Sequence, residues 1–178
     1  PVKATDDGEA IKSAARIAWD ELLEEFPNKV DLNLFAESRA LSQDLAAVDS
    51  VIERVIKKTG RSGNDIPTRL QLTRASVMVN EADVTRTVRD EAIKIVRGVL
   101  AQEQDNNKAR NMLGRLYELR SLPTVTKESE RFAPEYGLAI EEYITIARKL
   151  NGREALDYYF SAVKFAIEIG ENSSAHDY

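Results

Sequence analysis

The chain has 178 residues, 43 % of them apolar and 31 % charged, which suits one soluble domain that buries roughly 70 % of its unfolded surface without staples. It holds no cysteine, and its one histidine, His176, lies at the C-terminal end, which excludes disulfide scaffolds, cysteine or histidine-cluster metal sites, iron–sulfur ligation and thiol nucleophiles. A net charge of −5 argues against nucleic acid and anionic membranes, although residues 67–120 are net +3 between two ends of −4 each.

The elements read as helices in chain order. Ile11, Ala14, Ala15, Ala18, Leu22 and Phe26 recur at spacings of three and four, predicting a helix from about 9 to 26, with Pro27 as its stop. The same periodicity predicts helices over about 32–43, 45–58 and, beyond a glycine-rich turn ending at Pro67, 68–80. Helices over about 90–102, 108–120, 135–150 and 153–169 complete a set of eight, with Gly60, Gly63, Pro123, Pro134, Gly152 and Gly170 at the breaks. Strand-like alternation is absent from the pattern, so the expected class is all-α. No run approaches 18 apolar residues, and the first residues lack the apolar stretch of a signal peptide. They also lack an initiator methionine, the mark of a processed chain or an excised piece. Lack of cysteine fits an extracytoplasmic bacterial protein slightly better than a cytosolic one, and the compartment stays open.

A repeat runs through these helices. A small residue, a bulky one four later and a breaker twelve after the first occur at Ala15, Trp19 and Pro27, then at Val48, Ile52 and Gly60, 33 residues on. Ala92 and Val96 follow with Gln104, then Ala139 and Tyr143 with Asn151. The longer later intervals place insertions at 61–67 with 84–89 and at 122–134, and 61–67 and 122–134 are expected as surface loops open to protease.

Residues Ala109 to Tyr117, with Leu113, Gly114 and Tyr117 as an L-G-x₂-Y element behind Asp105-Asn106-Asn107, resemble the tetratricopeptide repeat family. Ala139-x₃-Tyr143 looks like that repeat's A-x₃-F element. Arg110 stands where the family prefers tryptophan, and of the terminal prolines Pro27 alone survives. The resemblance spans about 9–170 as a pattern and is specific around 105–117. It implies antiparallel helix hairpins stacked as a right-handed superhelix, the alternative being an irregular helical bundle. Residues 1–178 then form one domain: an N-terminal helix 9–27, repeats over about 30–60, 68–104 and 107–151, and a C-terminal helix 153–170. Gly114 and the alanines Ala15, Ala92 and Ala139 are expected where paired helices cross closely, with Trp19, Tyr117 and Tyr143 filling gaps between hairpins.

No catalytic constellation emerges. Glu24-Glu25 and Glu141-Glu142 are helix neighbours about 100° apart and share no proton. Glu128, Glu130 and Glu135 lie around one insertion without spacing that requires convergence. Thr59-Gly60-Arg61-Ser62-Gly63 lacks the phosphate-loop ending, and Asp6-Asp7-Gly8-Glu9 does not match a calcium loop. No metal or cofactor is expected. The resemblance implies a non-catalytic scaffold that binds a protein or peptide along the concave face lined by the first helix of each hairpin. There Lys108, Asn111 and Arg115 share one face of 108–120, with Asn33, Arg69 and Tyr158 as counterparts on other hairpins, which suggests an acidic partner. The family's carboxylate-clamp set is not reproduced. A helical ligand-binding or enzymatic domain with a pocket, and a self-assembling segment pairing through the helix of Tyr158-Tyr159-Phe160, stand as the other function classes. A homo-oligomer is compatible with all three.

Overall fold

The computed structural model describes residues 45–60, 66–80 and 84–174, with Ile17 and Glu21 as isolated helical positions. The readings made for 9–27 and 32–43, and with them Ala15, Trp19, Pro27 and Asn33, lie outside the described residues. Six α-helices and no strand occur among the described residues: α1 Leu45–Thr59, α2 Thr68–Val79, α3 Arg86–Gln102, α4 Asn107–Glu118, α5 Tyr136–Ala147 and α6 Gly152–Ser174. A single 3₁₀ turn, Glu128–Glu130, interrupts the connection from α4 to α5. None of the described helices is long and apolar enough to cross a membrane.

Each helix packs on the next in chain order, and α2 also touches α4 across α3. Val48, Val51, Ile52 and Val55 follow helical spacing on α1 and are buried with Leu70 and Val77 of α2 in one apolar cluster. The larger cluster runs from Ala75 of α2 through Ala92, Val96 and Val99 of α3, Leu113 and Leu116 of α4, and Ala139 and Ile146 of α5 to Phe165 of α6. α2 thus serves both clusters, which is why Leu70, Gln71, Thr73, Ala75, Val77 and Met78 are buried around much of its circumference. Arg74 ties the junction from outside, reaching Asp49 of α1 at 2.7 Å and Glu91 of α3 at 2.9 Å.

Local chemistry sets the ends. α1 stops at Gly60, whose φ of +67° is the left-handed conformation that glycine adopts cheaply, and its N–H donates to the Ile56 carbonyl at 2.8 Å. α4 starts where Asn106 Oδ1 accepts the Ala109 N–H at 3.0 Å, satisfying a donor the helix leaves free. Two expectations need correction. Residues 84–89 are not a loop insertion: Thr85 caps α3 by accepting the Val88 N–H at 3.3 Å, and the helix begins at Arg86 rather than Asp90. Gly170 is not a breaker either, because α6 continues through it to Ser174.

The connection 119–135 runs over the surface but is pinned to α3. Val125 and Phe132 are buried. Arg89 is only 3 % exposed; its Nε donates to the Leu116 carbonyl at 3.0 Å, and its guanidinium reaches Glu135 at 2.5 Å and lies over the Phe132 ring at 4.9 Å. Arg86 donates to the Arg131 carbonyl, and the Thr87 backbone and hydroxyl hold the Glu130 carboxyl below its ordinary range. The C-terminal part of the connection, residues 130–135, is thus anchored to the first turn of α3 through Arg86, Thr87 and Arg89.

Candidate binding groove

α4 carries the groove. Its first turn is fixed by Asn106, and Leu113, Gly114, Leu116 and Tyr117 turn inward, which leaves Lys108, Asn111 and Arg115 on the opposite side at spacings of three and four. A cleft of about 460 Å³ separates this face from the last turn of α2. Ser76, Val79 and Asn80 form one wall; Lys108, Asn111 and Arg115 form the other over a floor that includes Met112 and Leu116. A second cleft of about 470 Å³ lies on the far side of α4, toward α6, and is lined by Asn107, Lys108, Asn111, Glu154, Asp157 and Tyr158 among others. Lys108 and Asn111 border both.

Of the residues singled out from sequence, the structure therefore brings Lys108, Asn111 and Arg115 together along the first cleft, with Tyr158 joining Lys108 and Asn111 in the second. Arg69 sits at the exposed start of α2, two turns before Ser76, and lines neither cleft. Asn33 lies outside the described residues. Leu113, Gly114, Tyr117, Ala92, Ala139 and Tyr143 are all buried beneath the groove.

The electrostatics of the first cleft follow from which cations are already engaged. Arg74 and Arg89 are ion-paired, Arg97 donates to the Tyr117 hydroxyl at 2.6 Å, and Arg110 reaches Glu142 at 3.0 Å and the Gln104 carbonyl at 2.9 Å. Arg110 thus clamps α4 to α5 by charge. Lys108 and Arg115 are exposed and take no ion-pair partner among the described residues. The carboxylate that lines this cleft with them, Glu118, accepts the Tyr143 hydroxyl, and burial with that bond pushes the tyrosine well above its ordinary pKa. The second cleft differs: Glu154 and Asp157 make it acidic, and the Asn107 Oδ1 is a buried acceptor with no hydrogen-bond partner there.

The acidic residues weighed from sequence that lie among the described residues do not converge. Glu130 goes to Thr87, Glu135 to Arg89, Glu128 faces solvent beside Arg131 at 3.4 Å, and Glu142 is held by Arg110 while Glu141 is exposed. Sequence reasoning missed Ser76, Asn80 and Glu118 as groove residues. Asn80 carried a readable signal: it lies four residues after Ser76, at the end of the turn bordering the cleft. No family model, curated protein or solved structure matches the chain.

Proposed function

We propose that the chain is a non-catalytic interaction scaffold of tetratricopeptide type, holding an acidic, carboxylate-bearing segment of a protein partner in the cleft between α2 and α4. The observation that carries this reading is the pair of unpaired cations, Lys108 and Arg115, two helical turns apart on one wall with the Asn111 amide between them. Cations at that spacing, about 10.5 Å along the axis, match two carboxylates about three residues apart on an extended peptide better than a single small anion. Met112 and Leu116 between them supply apolar floor for a side chain flanked by acids.

The stacked-hairpin architecture is supported by the contact of α2 with α4, the first helices of successive hairpins, and by the close approach of Gly114 to Tyr143 within one hairpin. In such a stack the first helices line one face, which is where both clefts open. The acidic lining of the second cleft favours the α2–α4 side for the carboxylates of the partner. A neutral or cationic group would follow on toward Glu154 and Asp157.

Fluorescence anisotropy with labelled peptides of about twelve residues tests this. Asp/Glu-rich peptides should bind, with affinity falling as salt rises, and lysine-rich peptides of equal length should not. Lys108→Glu with Arg115→Glu should weaken binding at least about tenfold while helix content stays constant. Undiminished binding by that double variant would refute the assignment of the groove.

A further inference from the structure

The outer side of α6 bears a stripe of large apolar residues that nothing described in the chain covers. Leu156, Tyr159, Phe160, Val163 and Ile167 recur at three- and four-residue spacing and are 52, 41, 68, 56 and 55 % exposed. The opposite side of the helix is already used: Ala155, Ala162 and Phe165 are buried, and Phe165 stacks on Tyr136 of α5 at 4.9 Å. α6 is therefore apolar over well more than half its circumference, with Asp157, Lys164 and Glu168 confined to one polar strip. Five half-exposed large side chains present roughly 450 Å² of apolar surface, at the upper end of what a monomer leaves contiguous.

We propose that this stripe pairs with the same stripe of a second copy, α6 against α6 in antiparallel orientation about a two-fold axis near the midpoint of Phe160 and Val163. Two such stripes bury about 900–1,000 Å² together, which reaches the lower limit for a specific interface. A two-fold makes the surface complementary to itself: Leu156 of one copy lies over Ile167 of the other, and the two Phe160–Val163 segments meet at the centre. The flanking charges select the orientation. Asp157 and Lys164 lie seven residues apart on the same edge of the stripe and carry opposite charge. An antiparallel two-fold sets Asp157 of each copy beside Lys164 of the other, twice over, whereas a parallel two-fold puts the two copies of that edge on opposite sides of the seam, where these charges gain no partner. Lys164 is 70 % exposed and reaches Glu168 only at 4.0 Å, so it is available for that role. The stripe lies away from the α4 side of the helix, so pairing leaves the peptide cleft between α2 and α4 open.

The experiment is light scattering on the full chain coupled to size exclusion, with circular dichroism as the check on folding. The wild type should run at about twice the 19.9 kDa of one copy at tens of micromolar. Phe160→Glu, at a solvent-facing position, should keep its helix content and shift the dimer midpoint at least about tenfold higher in concentration. Asp157→Lys and Lys164→Asp should each weaken the dimer, and the two together should restore it. Because the chain has no cysteine, single-cysteine variants read the geometry directly. Val163→Cys, close to the axis, should cross-link on oxidation, whereas Arg153→Cys should not, its two copies being about 25 Å apart at 1.5 Å rise per residue. A monomer at 100 μM, a dimer unaffected by Phe160→Glu, or cross-linking through position 153 would each overturn the proposal.

Discussion

Gly114 faces the ring of Tyr143 so closely that a Cβ built on it would stand 2.7 Å from Cε1 and 2.9 Å from Cζ. Ordinary contact begins at 3.4 Å, so Gly114→Ala demands that ring and helix part by about 0.7 Å. The ring has little room to yield. It is 4 % exposed, its hydroxyl donates to Glu118, and Phe165 and Tyr158 lie against it at centroid distances of 6.2 and 5.9 Å. Overpacking of this kind costs about 1–3 kcal/mol. Alanine returns close to 1 kcal/mol of helix propensity, so the net loss for Gly114→Ala is about 0–2 kcal/mol. Gly114→Leu adds three more carbons with no further gain and should lose at least about 2 kcal/mol. Urea melts followed at 222 nm measure both. The decisive arm is a cycle with Tyr143→Leu, which removes the ring atoms the new methyl would strike. In that background Gly114→Ala should become stabilising by up to about 1 kcal/mol, a reversal of sign that depends on the contact alone. Stabilisation by Gly114→Ala in the wild-type background would refute the close crossing of α4 and α5.

Arg89→Met should cost about 1–3 kcal/mol, since it strands the Leu116 carbonyl and releases Glu135, and it should speed proteolysis within 122–134; an unchanged cleavage rate would show that the loop is held by other contacts. Tyr143 titrates far above its unfolded value, so the native state keeps its proton while the unfolded chain loses it above about pH 10. Stability from this group is thus fully present below pH 10 and falls above it by up to about 1.4 kcal/mol per pH unit, a slope that should be shallower in Tyr143→Phe when melts at pH 9, 10.5 and 11.5 are compared. Charge reversal at Lys108 and Arg115 and the Phe160→Glu variant test the groove and the α6 stripe separately, since neither substitution touches the other surface.

Most of the described fold was legible because it is built from local pattern. Periodicity placed all six helices to within five residues, and the four-residue error at the start of α3 came from weighing the polar run 84–89 as loop when Thr85 was offering a cap three residues ahead of Val88. Gly170 misled for a related reason: a glycine inside a long helix costs about 1 kcal/mol and marks an end only when the backbone turns left-handed there, as at Gly60 and not at Gly170. Arg89 was the hardest to see. Its spacing from Ala92 and Val96 put it on the apolar face, yet a buried arginine becomes sensible only when partners 27 and 46 residues away are known to surround it.

The groove shows why residue identity and spacing carry a site only part of the way. Helical geometry alone set Lys108, Asn111 and Arg115 on one face, and that much needs no tertiary structure. The net +3 of residues 67–120 overstates the field there, however, because four of the eight arginines, Arg74, Arg89, Arg97 and Arg110, are engaged within the molecule by Asp49, Glu91, Glu135, Glu142 and the Tyr117 hydroxyl. A cation neutralised at 3 Å contributes little to attraction at longer range through salt water. What reaches a ligand is the remainder, and in the α2–α4 cleft that is two cations beside one carboxylate, Glu118, which accepts the Tyr143 hydroxyl. The bond that closes off Glu118 therefore links core to groove: Tyr143 is the ring that packs on Gly114. Tyr143→Phe leaves the packing but frees the carboxylate beside Arg115, and it should weaken acidic peptides through that released competitor while stability near neutral pH changes by about 1 kcal/mol. Peptide affinity unchanged in Tyr143→Phe, measured by the same anisotropy assay, would show that Glu118 competes for Arg115 equally well with or without the tyrosine.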